Sequence, residues 1–213
     1  TPHTDADEFP RDVVELIDLM SEQPRQAVRA VPGTGLKVPV WILGSSLFGA
    51  QLAAMLGLPF AFASHFAPGQ MMQAVELYRA SFRPSEHLDK PYVMLGFNVI
   101  AAPTDEEAAL LATSVQQSFV NLRTGRPSKL PPPSPGYLER LGAPERAMLA
   151  DAHSCSAIGS PETVRRGLRA FIDRTGADEL MINGQIFDHA ARLRSYEIAA
   201  ACMEPAARAD QGA

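Results

Sequence analysis

The stretch Val38–Pro59, VPVWILGSSLFGAQLAAMLGLP, decides the fold. It opens with a short apolar run, rich in β-branched and aromatic residues, which is typical of a buried strand. Gly44-Ser45-Ser46 then leads into a helix that ends at Gly57, because Pro59 cannot continue it. Strand, glycine-serine turn and helix are the arrangement in which backbone N–H groups and hydroxyls at a helix N-terminus bind an anion.

Length, composition and charge exclude several classes of protein. The chain has 213 residues, of which 46% are hydrophobic, so it can bury a core and is interpreted as one domain, residues 1–213. The net charge is −5 and the 19 basic residues form no run, which argues against a nucleic-acid partner. No apolar run approaches the roughly 18 residues of a membrane span, and the acidic N-terminus is unlike a signal peptide. We therefore expect a cytoplasmic protein.

The rest of the chain repeats the order of strand and helix. Strands are predicted at about 39–43, 59–63, 92–101 and 179–183, each followed by a helix. Helices are predicted over 9–22, from the first turn to 57, and over 70–82, 104–122, 137–152, 160–175 and 188–203. Strands that alternate with helices predict a parallel sheet with right-handed crossovers.

Two segments are predicted to lie outside this array. Residues 125–136, GRPSKLPPPSPG, are too rich in proline and glycine for regular structure and are interpreted as an exposed insertion. Residues 204–213 are predicted to form a loose tail. The two cysteines, Cys155 and Cys202, have no metal-ligand spacing, so no metal site is predicted.

The fold class is α/β, of the (β/α)₈ barrel type. Such a barrel takes roughly 250 residues and eight strands, whereas four strands are predicted here, so we expect about half a barrel. A half-barrel leaves open strand edges and one uncovered apolar face, and the isolated chain is therefore expected to dimerise or aggregate.

Four segments together resemble a known family. They are Val38–Pro59, Phe60–Pro68 (FAFASHFAP), Asn98–Ala108 (NVIAAPTDEEA) and Ile158–Asn183 (IGSPETVRRGL…TGADELMIN). In this order they resemble the C-terminal part of the bacterial luciferase-like flavin-dependent monooxygenases. The resemblance implies that the predicted strands are similar to barrel strands five to eight. Because the first four strands have no counterpart here, we interpret the chain as a fragment or the product of a truncated gene.

The resemblance implies a function and a cofactor. Family members use reduced FMN, or in some relatives a deazaflavin, and the monooxygenases oxidise a small organic substrate with O₂. It further implies a flavin reductase as the supplier of reduced flavin. Two alternatives remain: a non-catalytic flavin-binding or cryptic half-barrel protein, and a deazaflavin-dependent hydride-transfer enzyme on the same scaffold.

The candidate site lies in the first turn. In the family the equivalent turn contacts the flavin phosphate, which implies binding by Gly44, Ser45 and Ser46, with Leu43 and Gly49 lining the same pocket. The helix dipole and free N–H donors suit a dianion there. The alternative is that Ser45 or Ser46 only caps the helix. Gly159-Ser160 is a similar turn, but Pro161 removes one donor and Ser-Pro-Glu is fully explained as a helix cap.

One histidine is the candidate catalytic residue. His65 follows a predicted strand at its carboxyl end, the rim at which barrel enzymes perform their chemistry. An imidazole there could hydrogen-bond a flavin oxygen or act as an acid or base near neutral pH. The alternative is a loop histidine without a function. Asn98 lies within a predicted strand, where its polar side chain needs a partner.

Overall fold

A computed structural model describes residues 8–203. The predicted strands and helices follow one another in the predicted order, with one additional strand. The strands are β1 (Ile42–Gly44), β2 (Phe60–Phe62), β3 (Val93–Ala101), β4 (Ser156–Gly159) and β5 (Glu179–Asn183). The α-helices are α1 (Phe9–Met20), α2 (Leu47–Leu56), α3 (Met71–Ser81), α4 (Asp105–Arg123), α5 (Tyr137–Arg140), α6 (Ala143–Ala152), α7 (Pro161–Thr175) and α8 (His189–Met203), with a 3₁₀ turn at Pro68–Gln70.

All the strand pairs within this described part are parallel, as predicted. β1 pairs with β2, β2 with β3, and β3 with both β4 and β5. β4 was not predicted, so the prediction of four strands was wrong by one. Ser156–Gly159 has only four residues, and the capping sequence directly after it favoured a helix start over a strand.

β2 and β4 lie end to end along the same edge of β3. Met94 pairs with both β2 and β5, and Asn98 pairs with both β4 and β5. Because the two partners of one residue lie on opposite sides of its strand, β5 occupies one edge of β3, and β2 and β4 share the other. Between the end of β2 and the start of β4 a gap remains, and residues 63–65 lie there.

Alternation along β3 separates the two faces of the sheet. One face packs against α2, α3, α7 and α8, and it contributes Phe60, Phe62, Leu95, Phe97 and Val99 to the core. The opposite face, called the inner face below, carries the side chains of Met94, Asn98 and Ile100 from β3. α4 covers its carboxyl end, where Ile100 packs with Ala112 and Val115.

The inner face is uncovered over β1 and the middle of β5. Leu43 of β1 is 68% exposed there, and Met181 of β5 is 54% exposed. A closed barrel would bury such side chains in its interior. The observed architecture is therefore an α/β sheet of partial-barrel type, as the sequence predicts.

Local sequence signals explain where the helices end and begin. Gly57 and Gly176 both adopt left-handed backbone conformations after α2 and α7, with φ values of 63° and 59°. Thr104 caps α4 by accepting a hydrogen bond from the Glu107 N–H at 3.2 Å. The predicted helix 137–152 is instead two helices, α5 and α6, because the chain is extended at Leu141 and Gly142 between them.

The proline-rich segment 125–136 forms neither helix nor strand between α4 and α5. It is hydrogen-bonded to α4, since the Thr113 hydroxyl accepts from the Ser134 N–H at 2.8 Å and Gln117 donates to the Pro132 carbonyl at 3.0 Å. The predicted loose tail, 204–213, lies outside the described residues. Within residues 8–203 no helix has both the length and the apolar character needed to cross a membrane.

Candidate functional site

The first strand–helix turn presents two exposed serines at the carboxyl end of β1. Ser46 is the N-cap residue of α2 and has extended backbone angles, φ −143° and ψ 173°. Its hydroxyl makes no capping hydrogen bond, and both Ser45 and Ser46 are exposed. The first N–H groups of α2 lack partners within the helix, as at any helix N-terminus. The turn thus combines free backbone donors with a hydroxyl that the helix does not use.

Two glycines bring α2 close to the end of β1. A Cβ on Gly49 would lie 3.4 Å from the Gly44 Cα atom, so the backbones of strand and helix nearly touch. Gly49 is buried behind the turn and faces Ile42 and Phe60, so in this structure it packs and does not line the surface. Leu43, by contrast, projects from the inner face beside the turn. Gly44, Ser45, Ser46 and Leu43 are therefore brought together, and Gly49 supports them from behind.

The second glycine-serine turn, between β4 and α7, is closed by the chain itself. The Asp105 carboxylate accepts a hydrogen bond from the Ser160 N–H at 2.6 Å and another from the Thr163 hydroxyl at 3.3 Å. These hydrogen bonds, that of the Ser160 N–H above all, lower the pKa of Asp105 below its ordinary value. The Ser160 hydroxyl in turn caps α7 through the Thr163 N–H at 3.5 Å. The Asp105 carboxylate of the chain itself therefore occupies the position that an external anion would take at this turn.

His65 lies at the same end of the sheet as the first turn, beyond the carboxyl end of β2. The Ala63 N–H donates to the Gly44 carbonyl at 2.9 Å, which joins the ends of β1 and β2 directly before His65. The Ser64 hydroxyl donates to the Gly96 carbonyl at 2.6 Å, and the Asn98 side-chain amide donates to the His65 carbonyl at 2.8 Å. These bonds fix Ser64 and His65 in the gap between β2 and β4.

The His65 ring lies directly over Gly96 of β3. A Cβ built on Gly96 would stand 2.0 Å from the Nδ1 atom of His65, so the ring can occupy this position only over glycine. Nδ1 is buried and has no hydrogen-bond partner. Burial lowers the pKa of the imidazole below its ordinary value, and no charged neighbour contributes to the shift. The ring is therefore neutral at pH 7.

A polar chain continues from His65 across the inner face. Asn98 accepts a hydrogen bond from the Asn183 side-chain amide at 2.9 Å, so the partner expected for Asn98 is Asn183 of β5 on one side and the His65 carbonyl on the other. Beneath α4 a small enclosed cavity of about 10 Å³ borders Asn98, Asn183 and His153. Both ring nitrogens of His153 are buried without partners, and burial lowers its pKa.

Sequence reasoning missed Gly96, Asn183 and His153. An isolated glycine within the strand 92–101 is a recognised signal of close approach by another group, and it could have drawn attention to Gly96. Nothing in the sequence pairs Asn183 with Asn98, which lie 85 residues apart. His153 follows a helix that the sequence predicts, but no sequence pattern indicates that its ring nitrogens are buried.

Two larger cavities lie at the other end of the sheet, where the strands begin. One of about 610 Å³ borders Pro39 and Pro59, which precede β1 and β2, and another of about 860 Å³ lies between α1 and residues 85–87. None of the predicted site residues lines either cavity. The strand ends at the first turn form an open rim, as expected for a sheet that does not close. Within residues 8–203 no group of three acidic, histidine or cysteine side chains could hold a metal ion.

Comparison with known proteins relates this chain to a family. The model of the family described as luciferase-like monooxygenase matches residues 12–179. A curated protein of Escherichia coli K12, named luciferase-like monooxygenase, is 53% identical over 196 residues, which cover 92% of this chain and 58% of that protein. The chain therefore spans little more than half the length of this curated relative.

Solved structures share the fold. The crystal structure of apo-MsnO8 matches with a TM-score of 0.77 and 28% identity, over 93% of this chain and 60% of that one. The oxygenating constituent of 3,6-diketocamphane monooxygenase from Pseudomonas putida, a type II Baeyer–Villiger monooxygenase solved with FMN, matches with a TM-score of 0.53. It is 18% identical and covers 86% of this chain and 52% of that one, so this likeness concerns the fold alone.

Proposed function

Because this chain belongs to the luciferase-like monooxygenase family, we propose that it carries the phosphate-binding rim of a flavin-dependent oxidoreductase. The reaction proposed for the intact protein is oxidation of a small organic substrate by O₂ and reduced FMN, with a flavin reductase as the source of reduced flavin. The supporting observation is the unused Ser46 hydroxyl at the N-terminus of α2. In the matching turn at Ser160, hydroxyl and N–H are both engaged within the chain.

The residues of the first turn suit a phosphate group. The free N–H groups at the start of α2 and the Ser45 and Ser46 hydroxyls would donate hydrogen bonds to its oxygens, and the helix dipole favours its negative charge. Gly44 has no side chain to obstruct the approach. Leu43 offers an apolar surface on the inner face for the rest of the cofactor. Bound reduced flavin supplies the electrons with which O₂ is activated.

The phosphate contact is tested by comparing FMN with riboflavin, which lacks the phosphate. Fluorescence titration of the purified chain should give tighter binding of FMN, by about tenfold, which corresponds to roughly 1.4 kcal/mol. The double variant Ser45→Ala/Ser46→Ala should lose this preference and bind both ligands equally. Ser160→Ala is the matched control, since its hydroxyl caps α7, and it should keep the preference for FMN.

Equal affinity of the wild-type chain for FMN and riboflavin would contradict the phosphate contact. Retention of the preference by the double serine variant would contradict the assignment to this turn. Oxygen uptake in the presence of reduced FMN then separates a monooxygenase from the two alternatives, a flavin-binding protein without activity and a deazaflavin-dependent hydride-transfer enzyme.

We also propose that the isolated chain associates with itself through the inner face. The exposed apolar side chains Leu43 and Met181 project from a sheet face that a closed barrel would bury. Light scattering of the wild-type chain should report dimers or larger particles, and Leu43→Ser/Met181→Ser should shift the population toward monomer. A wild-type monomer with a cooperative thermal transition would contradict this expectation.

A further inference from the structure

The position of the His65 ring against Gly96, called its seat below, restricts the protonation state of the ring. Gly96 belongs to the set of β3 residues whose side chains would project from the inner face, together with Met94 and Asn98. Its carbonyl accepts the Ser64 hydroxyl at 2.6 Å, which holds residues 64 and 65 against β3. The Asn98 amide holds the His65 carbonyl at 2.8 Å. These two bonds fix the backbone at residues 64 and 65 and so place the imidazole over Gly96.

The contact between ring and glycine distinguishes the two ring nitrogens. Since a Cβ on Gly96 would stand 2.0 Å from Nδ1, the hydrogen that glycine carries in that direction points at this nitrogen. A lone pair on Nδ1 accepts such a C–H contact, whereas an N–H there would face another hydrogen. A buried N–H without an acceptor is also rare and destabilising. The proton of the neutral ring is consequently placed on Nε2.

Nε2 is the ring nitrogen that a ligand can reach. Nδ1 is buried and unpartnered, whereas Nε2 is not among the buried atoms without a partner. The positively charged ring would need a proton on Nδ1 as well, directly against Gly96. His65 is consequently unsuited to take up a proton as a base while it stays in this seat.

We propose that Gly96 holds His65 as the neutral Nε2–H tautomer, and that Nε2–H donates a hydrogen bond to an acceptor oxygen of the ligand bound at this rim. The second half of this inference rests on the proposed flavin-binding function, and the first half does not. Asn98 and Asn183 are positioning residues in this arrangement, because they act through the His65 backbone.

The tautomer is tested without any ligand. Long-range ¹H–¹⁵N correlation spectra of the ¹⁵N-labelled chain at pH 7 should show His65 with its proton on Nε2, assigned by the signals that disappear in His65→Asn. His87 and His189, which the structure places at the surface, serve as internal references. A proton on Nδ1 or a charged ring at pH 7 would overturn the tautomer assignment.

Gly96→Ala tests the cause of the tautomer preference. The added Cβ cannot coexist with the ring, so the ring must leave its seat and become solvated. We expect the His65 signals to approach those of the surface references and its pKa to rise toward the ordinary value. Unchanged His65 signals in this variant would overturn the role of Gly96.

The ligand contact is tested by two amide variants during FMN titration. The glutamine amide of His65→Gln reaches about as far as Nε2 and can donate there, whereas the shorter amide of His65→Asn stands in for Nδ1. We expect His65→Gln to bind FMN nearly as well as the wild type, and His65→Asn to bind about fivefold more weakly, as for one lost hydrogen bond.

Three outcomes of that titration are informative. Wild-type affinity in both variants would overturn the ligand contact. Weakening in His65→Gln alone would also overturn it, because the donor would then be required at Nδ1. Absence of FMN binding by the wild-type chain would contradict the proposed function and the ligand contact together, whereas the spectra would still decide the tautomer.

Discussion

The two glycine-serine turns of this sheet have nearly the same local sequence and different chemical states. Gly44-Ser45-Ser46 precedes α2, and Gly159-Ser160 precedes α7, each at the carboxyl end of a parallel strand. The first turn keeps its hydroxyls and helix N–H groups free. The second gives its N–H to the Asp105 carboxylate, which arrives from the start of α4. In this protein the turn that receives no carboxylate from the chain is the one left available to an external anion.

The largest expected effect separates the two glycines. A Cβ at Gly159 would lie 2.5 Å from Asp105 Oδ1 and 2.6–2.7 Å from side-chain carbons of Thr163, at a φ of 156°. Asp105 could withdraw only by leaving the Ser160 N–H, and Thr163 is fixed in the first turn of α7. We expect Gly159→Ala to lower the free energy of unfolding by about 2–4 kcal/mol in urea titrations.

Gly44→Ala is the matched control at the first turn. Its Cβ would lie 3.5 Å from the Gly49 Cα, an ordinary contact, so the expected loss is under about 1 kcal/mol. Equal losses in the two variants would show that the closed turn is no tighter than the open one. That result would contradict the steric difference between the two turns.

Replacing the serines should also destabilise the closed turn more than the open turn, but by a smaller amount than replacing the glycines. Ser160→Ala removes a hydroxyl that caps α7, and we expect it to lower the free energy of unfolding by about 1 kcal/mol. Ser46→Ala removes a hydroxyl without a capping bond, and its effect should stay within about 0.5 kcal/mol. Urea titrations of both variants under identical conditions measure the difference.

A larger loss for Ser46→Ala than for Ser160→Ala would mean that the Ser46 hydroxyl stabilises the helix. The case for a ligand at the first turn would then lose its supporting observation, because the residue would be a cap like its counterpart. Combined with unchanged FMN binding, this result would favour the simpler interpretation of both serines as N-caps.

The sequence predicts features that neighbouring residues form, and it misses features that residues far apart in the chain form together. β3 is a nine-residue apolar run, and its bounds were predicted to within one residue because such a run determines its own structure. β4 has four residues, and it is a strand because β3 offers a free edge beyond the end of β2. Only the assembled sheet contains that edge, so local reasoning found only the helix start that directly follows β4.

The candidate site also combines features that contiguous residues form with features that distant residues form. The first turn was predicted from contiguous residues and from the family resemblance, and the structure places its serines at an exposed helix start. The closure of the second turn depends on Asp105 and Ser160, which lie 55 residues apart. The seat of His65 depends on Gly96, a residue without a side chain. Such long-range contacts leave no periodic or capping signal in the sequence.

The smallest expected effect concerns the pH dependence of the closed turn. Because its hydrogen bonds lower the pKa of the Asp105 carboxyl in the folded state, the ionised carboxylate stabilises the fold above its ordinary pKa of about 4. This contribution should be lost as the pH falls from about 4 through the lowered pKa of the folded protein. Thermal unfolding from pH 7 to pH 3 should therefore show a shallower acid decline for Asp105→Asn than for the wild type.

Glu106→Gln is the matched control for the acid decline. Glu106 is the neighbouring carboxylate in the first turn of α4, and within residues 8–203 it makes no hydrogen bond to the Ser160 turn. Its variant should decline as steeply as the wild type between pH 4 and pH 3. If Asp105→Asn and Glu106→Gln declined alike, the carboxylate of Asp105 would not be the anion that closes the second turn. The contrast with the open turn at Ser46 would then rest on steric fit alone.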